Sequence, residues 1–184
     1  MHVLLATDAS WLVDTVVAAL GDEQTSFTVC SDGRDVARQV KAVAKAGGAI
    51  DLGVFDLQIG SMGGMAVTMA LRLDASTNLL PPVPALMLLD RVADVHLATR
   101  SGADGWLIKP LDPLRLRRAA RAVASGGTYT EGLFDNGVPA PVAPDVDVSG
   151  GLSDIDTAAA STADTSTAGN DADATARSEA SAAR

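Results

Sequence analysis

Cysteine is nearly absent from this 184-residue chain. Cys30 is the only one, which excludes an intramolecular disulfide framework and any multi-cysteine metal site. Histidine is scarce as well. His2 and His96 lie far apart with no ligand spacing, so the sequence offers no zinc motif. Only six residues are aromatic, and five of them (Trp11, Phe27, Phe55, Trp106 and Tyr129) precede residue 130; Phe134 is the sixth. Residues 1–129 carry 12 Lys and Arg against 13 Asp and Glu, whereas residues 130–184 carry 2 against 10. Nearly all of the net charge of −9 therefore sits in the last third. That argues against direct nucleic-acid binding, which needs clustered Lys and Arg. Long hydrophobic runs are missing too. The uncharged stretches 57–71 and 75–89 are each shorter than a membrane span and are broken by Gly60, Gly63 and Gly64 and by Pro81, Pro82 and Pro84. No basic segment precedes Val3-Leu4-Leu5, and Asp8 interrupts the apolar run, so no signal peptide is expected. The expectation is a reduced, cytoplasmic protein without membrane contact.

What is present, over the first 125 residues, is an alternation of two patterns. Short apolar runs at Val3–Thr7, Ser26–Cys30, Ile50–Phe55, Pro84–Leu89 and Gly105–Ile108 have the length and the β-branched or aromatic content of buried strands. Between them come helical periods: Leu12, Val13, Val16, Val17 and Leu20; then Val36, Val40, Val43 and Ala44. A looser set, Met65, Val67, Met69 and Leu71, is followed by Val92, Val95 and Leu97. The last is Leu114, Leu116, Ala119, Ala120 and Val123. Ser10 precedes the first helix as a candidate cap, and Asp112-Pro113 opens the last one. Gly21, Gly47 and Gly126 stand where helices should end. Five βα units predict a doubly wound, five-stranded parallel sheet of order 2-1-3-4-5 over residues 1–125.

Residues 126–184 read differently. They are acidic and rich in Ala, Ser, Thr and Asp, and from 153 onward Ile155 is the only large aliphatic residue. Such a segment cannot offset its ordering entropy by burial, so a disordered C-terminal tail is expected.

In an open α/β sheet, ligands bind beyond the carboxyl ends of the strands. The first strand ends in Thr7-Asp8, the third in Phe55-Asp56, the fourth in Leu89-Asp90 and the fifth in Lys109-Pro110. The predicted order gathers Asp8, Asp56 and Lys109 around one crevice. Paired carboxylates repel unless a cation lies between them, and a hard divalent ion such as magnesium prefers oxygen ligands. Lys109 can hold a phosphoryl oxygen as a point charge, and Asp56 can serve as a nucleophile giving an aspartyl phosphate. Gly60-Ser61-Met62-Gly63-Gly64 lacks the Lys-Ser/Thr ending of a phosphate loop. No Gly-x-Ser-x-Gly elbow supports a hydrolase, and no helix-turn-helix segment follows residue 125.

Three blocks carry a family resemblance: Val3–Asp8, Asp51–Ile59 with Gly64, and Gly102–Pro110. Together they resemble the receiver domain of two-component response regulators over residues 2–125. The resemblance implies a phosphorelay module, not an enzyme in the ordinary sense. Asp56 is then the phosphoacceptor, Lys109 the phosphoryl contact, and magnesium is held by Asp8 and Asp56 and by the backbone carbonyl of Gln58. The partners implied are a histidine kinase or other phosphodonor and a protein output partner. The bond from Lys109 to Pro110 is cis in the family.

The sequence departs from the family in several places, among them a slightly short stretch from Pro84 to Lys109 and Gly60-Ser61 where a proline is usual after the phosphorylation site. Thr7 stands where a second acidic residue is usual, so magnesium binds more weakly. Leu89 stands where the family has Ser or Thr, and leucine cannot donate to a phosphoryl oxygen. Trp106 replaces the common aromatic switch residue. The alternative reading is therefore a phosphorylation-independent adaptor on the same fold. Arg115, Arg117, Arg118 and Arg121 give the last helix a basic side that could dock an acidic partner or the chain's own acidic tail.

Overall fold

A computed structural model describes residues 1–132. Its element order is β1 (His2–Ala6), α1 (Ser10–Leu20), β2 (Ser26–Cys30), α2 (Val36–Lys45), β3 (Leu52–Asp56), α3 (Gly64–Ser76), β4 (Ala85–Leu89), α4 (Val95–Ser101), β5 (Gly105–Ile108) and α5 (Pro113–Ala124). Single 3-10 turns, Gly33–Asp35 and Val92–Asp94, lead into α2 and α4. The five strands form one parallel sheet in the order β2-β1-β3-β4-β5. This is the doubly wound architecture that the strand and helix spacing predicts. The expectation of a tail falls mainly on residues outside those described.

Alternation along the strands builds two layers of core. Val3 and Leu5 of β1, Val54 of β3 and Leu86 and Leu88 of β4 pack against Leu12 and Val16 of α1 and Leu116, Ala119 and Val123 of α5. Leu4, Ala6 and Phe55 point the other way, onto Val36 and Val40 of α2 and Val67 and Leu71 of α3. Met87, Leu89 and Trp106 close a third group with Val95 and Ala98 of α4. β1, β3 and β4 are buried on both faces, as near-continuous apolar strands require.

Several local expectations change. Ser10 is already inside α1; the cap position belongs to Ala9, whose N–H donates to Thr7 Oγ1 at 3.2 Å. Asp112 caps α5 as expected, accepting from the Leu114 and Arg115 amides at 2.9 Å each. Leu114 does not face inward: it is 62% exposed, because two residues before Leu116 it stands on the opposite side of the helix, with Arg117, Arg118 and Arg121. Met69 is exposed too, and Thr68 takes the inward position, its hydroxyl donating to the Gly64 carbonyl at 2.8 Å. Cys30 is a small buried hydrophobe, and burial pushes its thiol up.

One clamp ties α3 to the start of β4. Asp104 Oδ2 accepts from the Ala85 amide at 2.7 Å and from Arg72 at 2.6 Å. The same guanidinium donates to the carbonyls of Gly102 and Val83 at 2.9 and 2.8 Å. Asp104→Ala leaves the Ala85 N–H without its acceptor and is expected to cost about 1–3 kcal/mol, whereas Asp104→Asn keeps an oxygen there and should lose less. Urea unfolding of the two variants checks this; equal midpoints would refute it.

Candidate functional site

The site lies beyond the carboxyl ends of β1, β3, β4 and β5. β3 delivers Asp56, 3% exposed, as its last residue. Both of its carboxylate oxygens are engaged. Oδ1 accepts from Lys109 Nζ at 2.7 Å and from the Gln58 amide at 3.3 Å. Oδ2 accepts from Thr7 Oγ1 at 3.0 Å. Thr7, at the end of β1, thus supplies a neutral donor directly to Asp56.

Lys109 follows β5, and its side chain is 13% exposed. Its backbone N–H donates to the Leu89 carbonyl at 2.8 Å, fixing it in register with the end of β4. The peptide bond to Pro110 is cis. Besides Asp56, Lys109 Nζ meets Asp90 Oδ1 at 3.1 Å and lies 6.0 Å from the centroid of the Trp11 ring. Asp90 and Trp11 are site residues with no role in the sequence reading. Asp90 was legible as one more carboxylate at a strand end. Trp11 was not, because its place on the first turn of α1 gives no sign that β5 brings a lysine under it.

Asp8 is exposed and bound to the loop after β3, accepting from the Gly60 amide at 3.1 Å through Oδ2. That loop is held from its other side as well. The Ser61 hydroxyl donates to Asp32, and Arg34 and Ser61 together hold the Asp32 carboxyl below the usual carboxylate range, Arg34 more strongly. Gln58 is brought to the site by its amide. Leu89 is fully buried among Met87, Val95 and Trp106 and presents no donor. Among the described residues no three His, Cys, Asp or Glu side chains gather into a metal-holding group. The residues that would hold magnesium are the carboxylates of Asp8 and Asp56 with the backbone carbonyl of Gln58, and a hydroxyl, Thr7, stands beside them in place of a further carboxylate. That set suits an ion that keeps several waters.

A sequence model described as "Response regulator receiver domain" matches residues 3–121. The chain belongs to the response regulator receiver family. Among curated relatives, this receiver is 34% identical over 123 residues to the response regulator protein PmrA of Pseudomonas aeruginosa, covering 67% of this chain and 52% of that one. It is 30% identical over 123 residues to the DNA-binding response regulator MtrA of Mycobacterium tuberculosis, covering 66% and 49%. The receiver thus spans about half the length of those relatives. Among solved structures it superposes on the chemotaxis response regulator CheY4 of Vibrio cholerae with a TM-score of 0.53 at 26% identity, covering 66% of this chain and 97% of that one. The receiver domain of the putative response regulator NarL from M. tuberculosis gives 0.56 at 25%, covering 68% and 96%. No helix among the described residues of the receiver is long and apolar enough to cross a membrane.

Proposed function

We propose that this receiver takes part in phosphorelay signalling by accepting a phosphoryl group on Asp56 from a histidine kinase or other phosphodonor, and signals by protein contact, without direct nucleic-acid or membrane binding. The observation that carries the reading is the placement of Lys109 Nζ 2.7 Å from Asp56 Oδ1 at the carboxyl edge of the sheet. An oxygen of Asp56 attacks phosphorus, the bond from phosphorus to the donor's nitrogen or oxygen breaks, and the donor leaves with that electron pair. Lys109 is already beside the nucleophile and can turn a donor proton to a phosphoryl oxygen without rebuilding the site. The Thr7 hydroxyl and the Gln58 amide orient the carboxylate. Asp8, Asp56 and the Gln58 carbonyl would hold magnesium, whose charge, when bound, offsets that of the arriving phosphoryl oxygens. Thr7 in place of a carboxylate makes that binding weak.

A second reading is favoured by a specific observation. Asp90 lies on Lys109, and both oxygens of Asp56 already have donors, so the site is internally satisfied. A receiver kept as a phosphorylation-independent adaptor needs nothing more. Intact mass after incubation with magnesium and a small phosphodonor separates the two. Phosphorelay predicts a gain of one phosphoryl group in the wild type and none in Asp56→Asn. An unchanged wild-type mass, with no magnesium binding detected by calorimetry, establishes the adaptor instead.

A further inference from the structure

β5 is an edge strand, and among the described residues no further strand lies beside its outward amides and carbonyls. Residues 127–132 supply the missing partners. The Trp106 amide donates to the Tyr129 carbonyl at 2.8 Å, and the Tyr129 amide donates to the Asp104 carbonyl at 3.3 Å. One residue pair further along, the strap changes chemistry. The Ile108 amide donates at 3.0 Å to the side-chain carboxylate of Glu131, where a continuing strand would offer a carbonyl.

Glu131 is held for this. Its carboxylate is mostly buried, and Arg115 of α5 grips it with two nitrogens, Nε to Oε1 at 2.8 Å and Nη2 to Oε2. Glu131 in turn is the main cause that raises the Arg115 guanidinium above its ordinary value. The same guanidinium donates to the carbonyls of Ile108 at 3.3 Å and Pro110 at 3.5 Å. The Glu131 backbone carbonyl accepts from the Trp106 indole N–H at 2.8 Å. Carboxylate and guanidinium therefore hold the backbone of the two residues that flank Lys109, Ile108 and Pro110. On the inner side the backbone of Lys109 is fixed by Leu89, and on the outer side only the Glu131–Arg115 pair fixes its neighbours among the described residues.

We propose that Glu131 is a positioning residue for Lys109, setting the backbone from which the ammonium reaches Asp56. The proposal rests on the reading of Lys109 as the phosphoryl contact. A misplacement of the reacting groups on the order of 1 Å can cost up to about a hundredfold in rate, so a shifted backbone here has a kinetic consequence.

The full-length chain tests it by nitrogen-15 NMR of the Lys109 ammonium, assigned with Lys109→Arg, together with the rate of mass gain from a small phosphodonor. The Trp106 indole N–H depends on the carbonyl of Glu131 and not on its carboxylate, so its signal reports whether the strap stays docked. In Glu131→Ala the Lys109 signal is expected to shift or broaden and the mass gain to slow about tenfold, with the Trp106 signal unmoved. Glu131→Gln keeps an oxygen for the Ile108 amide and is expected to stay within about threefold of wild type. An unchanged Lys109 signal in Glu131→Ala overturns the proposal. Loss of the Lys109 and Trp106 signals together in both variants overturns it too, because Glu131 then serves only to dock the strap. A wild type that gains no mass removes the phosphoacceptor reading of Asp56 alone; the Lys109 signal still decides what Glu131 does.

Discussion

Lys109→Met is expected to abolish phosphorylation of Asp56 and to destabilise the fold by about 3–5 kcal/mol, the range for breaking one half of a buried ion pair. Methionine keeps most of the aliphatic stem, so lost packing is a small part of the effect. What remains is a carboxylate, 3% exposed, with the Thr7 hydroxyl and the Gln58 amide as its donors and no opposite charge. Neutral hydrogen bonds offset only part of the desolvation of a buried charge. Asp56→Asn removes the charge together with its need for a partner, and it leaves Lys109 on Asp90. The double variant Asp56→Asn with Lys109→Met should therefore be less destabilised than the sum of the single ones, by about 1–3 kcal/mol. Urea unfolding of all four proteins measures this directly. Strict additivity would mean that Asp56 and Lys109 are neighbours without being energetic partners.

Gly64→Ala is expected to lose about 1–3 kcal/mol and to slow phosphorylation, although glycine is ordinarily a poor helix residue and alanine the best. Gly64 opens α3, and a Cβ there would lie 2.6 Å from the carbonyl oxygen of Asp56 and 3.0 Å from its carbonyl carbon. Both are backbone atoms, so no side chain can swing aside. Either α3 lifts from the sheet or the end of β3 moves, and Asp56 moves with it. Gly63 repeats the arrangement: a Cβ there would lie 2.6 Å from the carbonyl oxygen of Leu57. The glycines of this loop thus let a helix start directly on top of the strand end that carries the acceptor. A Gly64→Ala protein with wild-type urea midpoint and wild-type rate of mass gain would show that the helix start yields freely.

The order of the sheet and the gathering of Asp56 and Lys109 were legible because each rests on short-range pattern. Strands covered on both faces read as continuous apolar runs, and their ends place the polar residues. The cap of α1 was misplaced by one residue because Ser10 and Ala9 differ only in where helical dihedrals begin. Leu114 was grouped with the apolar stripe of α5, but residues two apart point to opposite sides of a helix, so it shares no face with Leu116. Asp90 was visible as a strand-end carboxylate, but its pairing with Lys109 depends on the β4–β5 register, which pattern does not fix. Glu131 was hidden more deeply. Composition assigns it to an acidic stretch, and nothing local indicates that one carboxylate of that stretch replaces a strand carbonyl.

The strap also changes how this sheet can meet another. A parallel sheet has two flanks, and a protein with both of them open can string copies together without limit, each unit offering a fresh flank to the next. Here the β5 flank is spoken for by Tyr129 and Glu131. Among the described residues the β2 flank alone is left for strand-to-strand addition, which would limit joining through backbone pairing to two copies. A strap so placed would cap such a stack at its first step, as a chain stopper does in polymer growth.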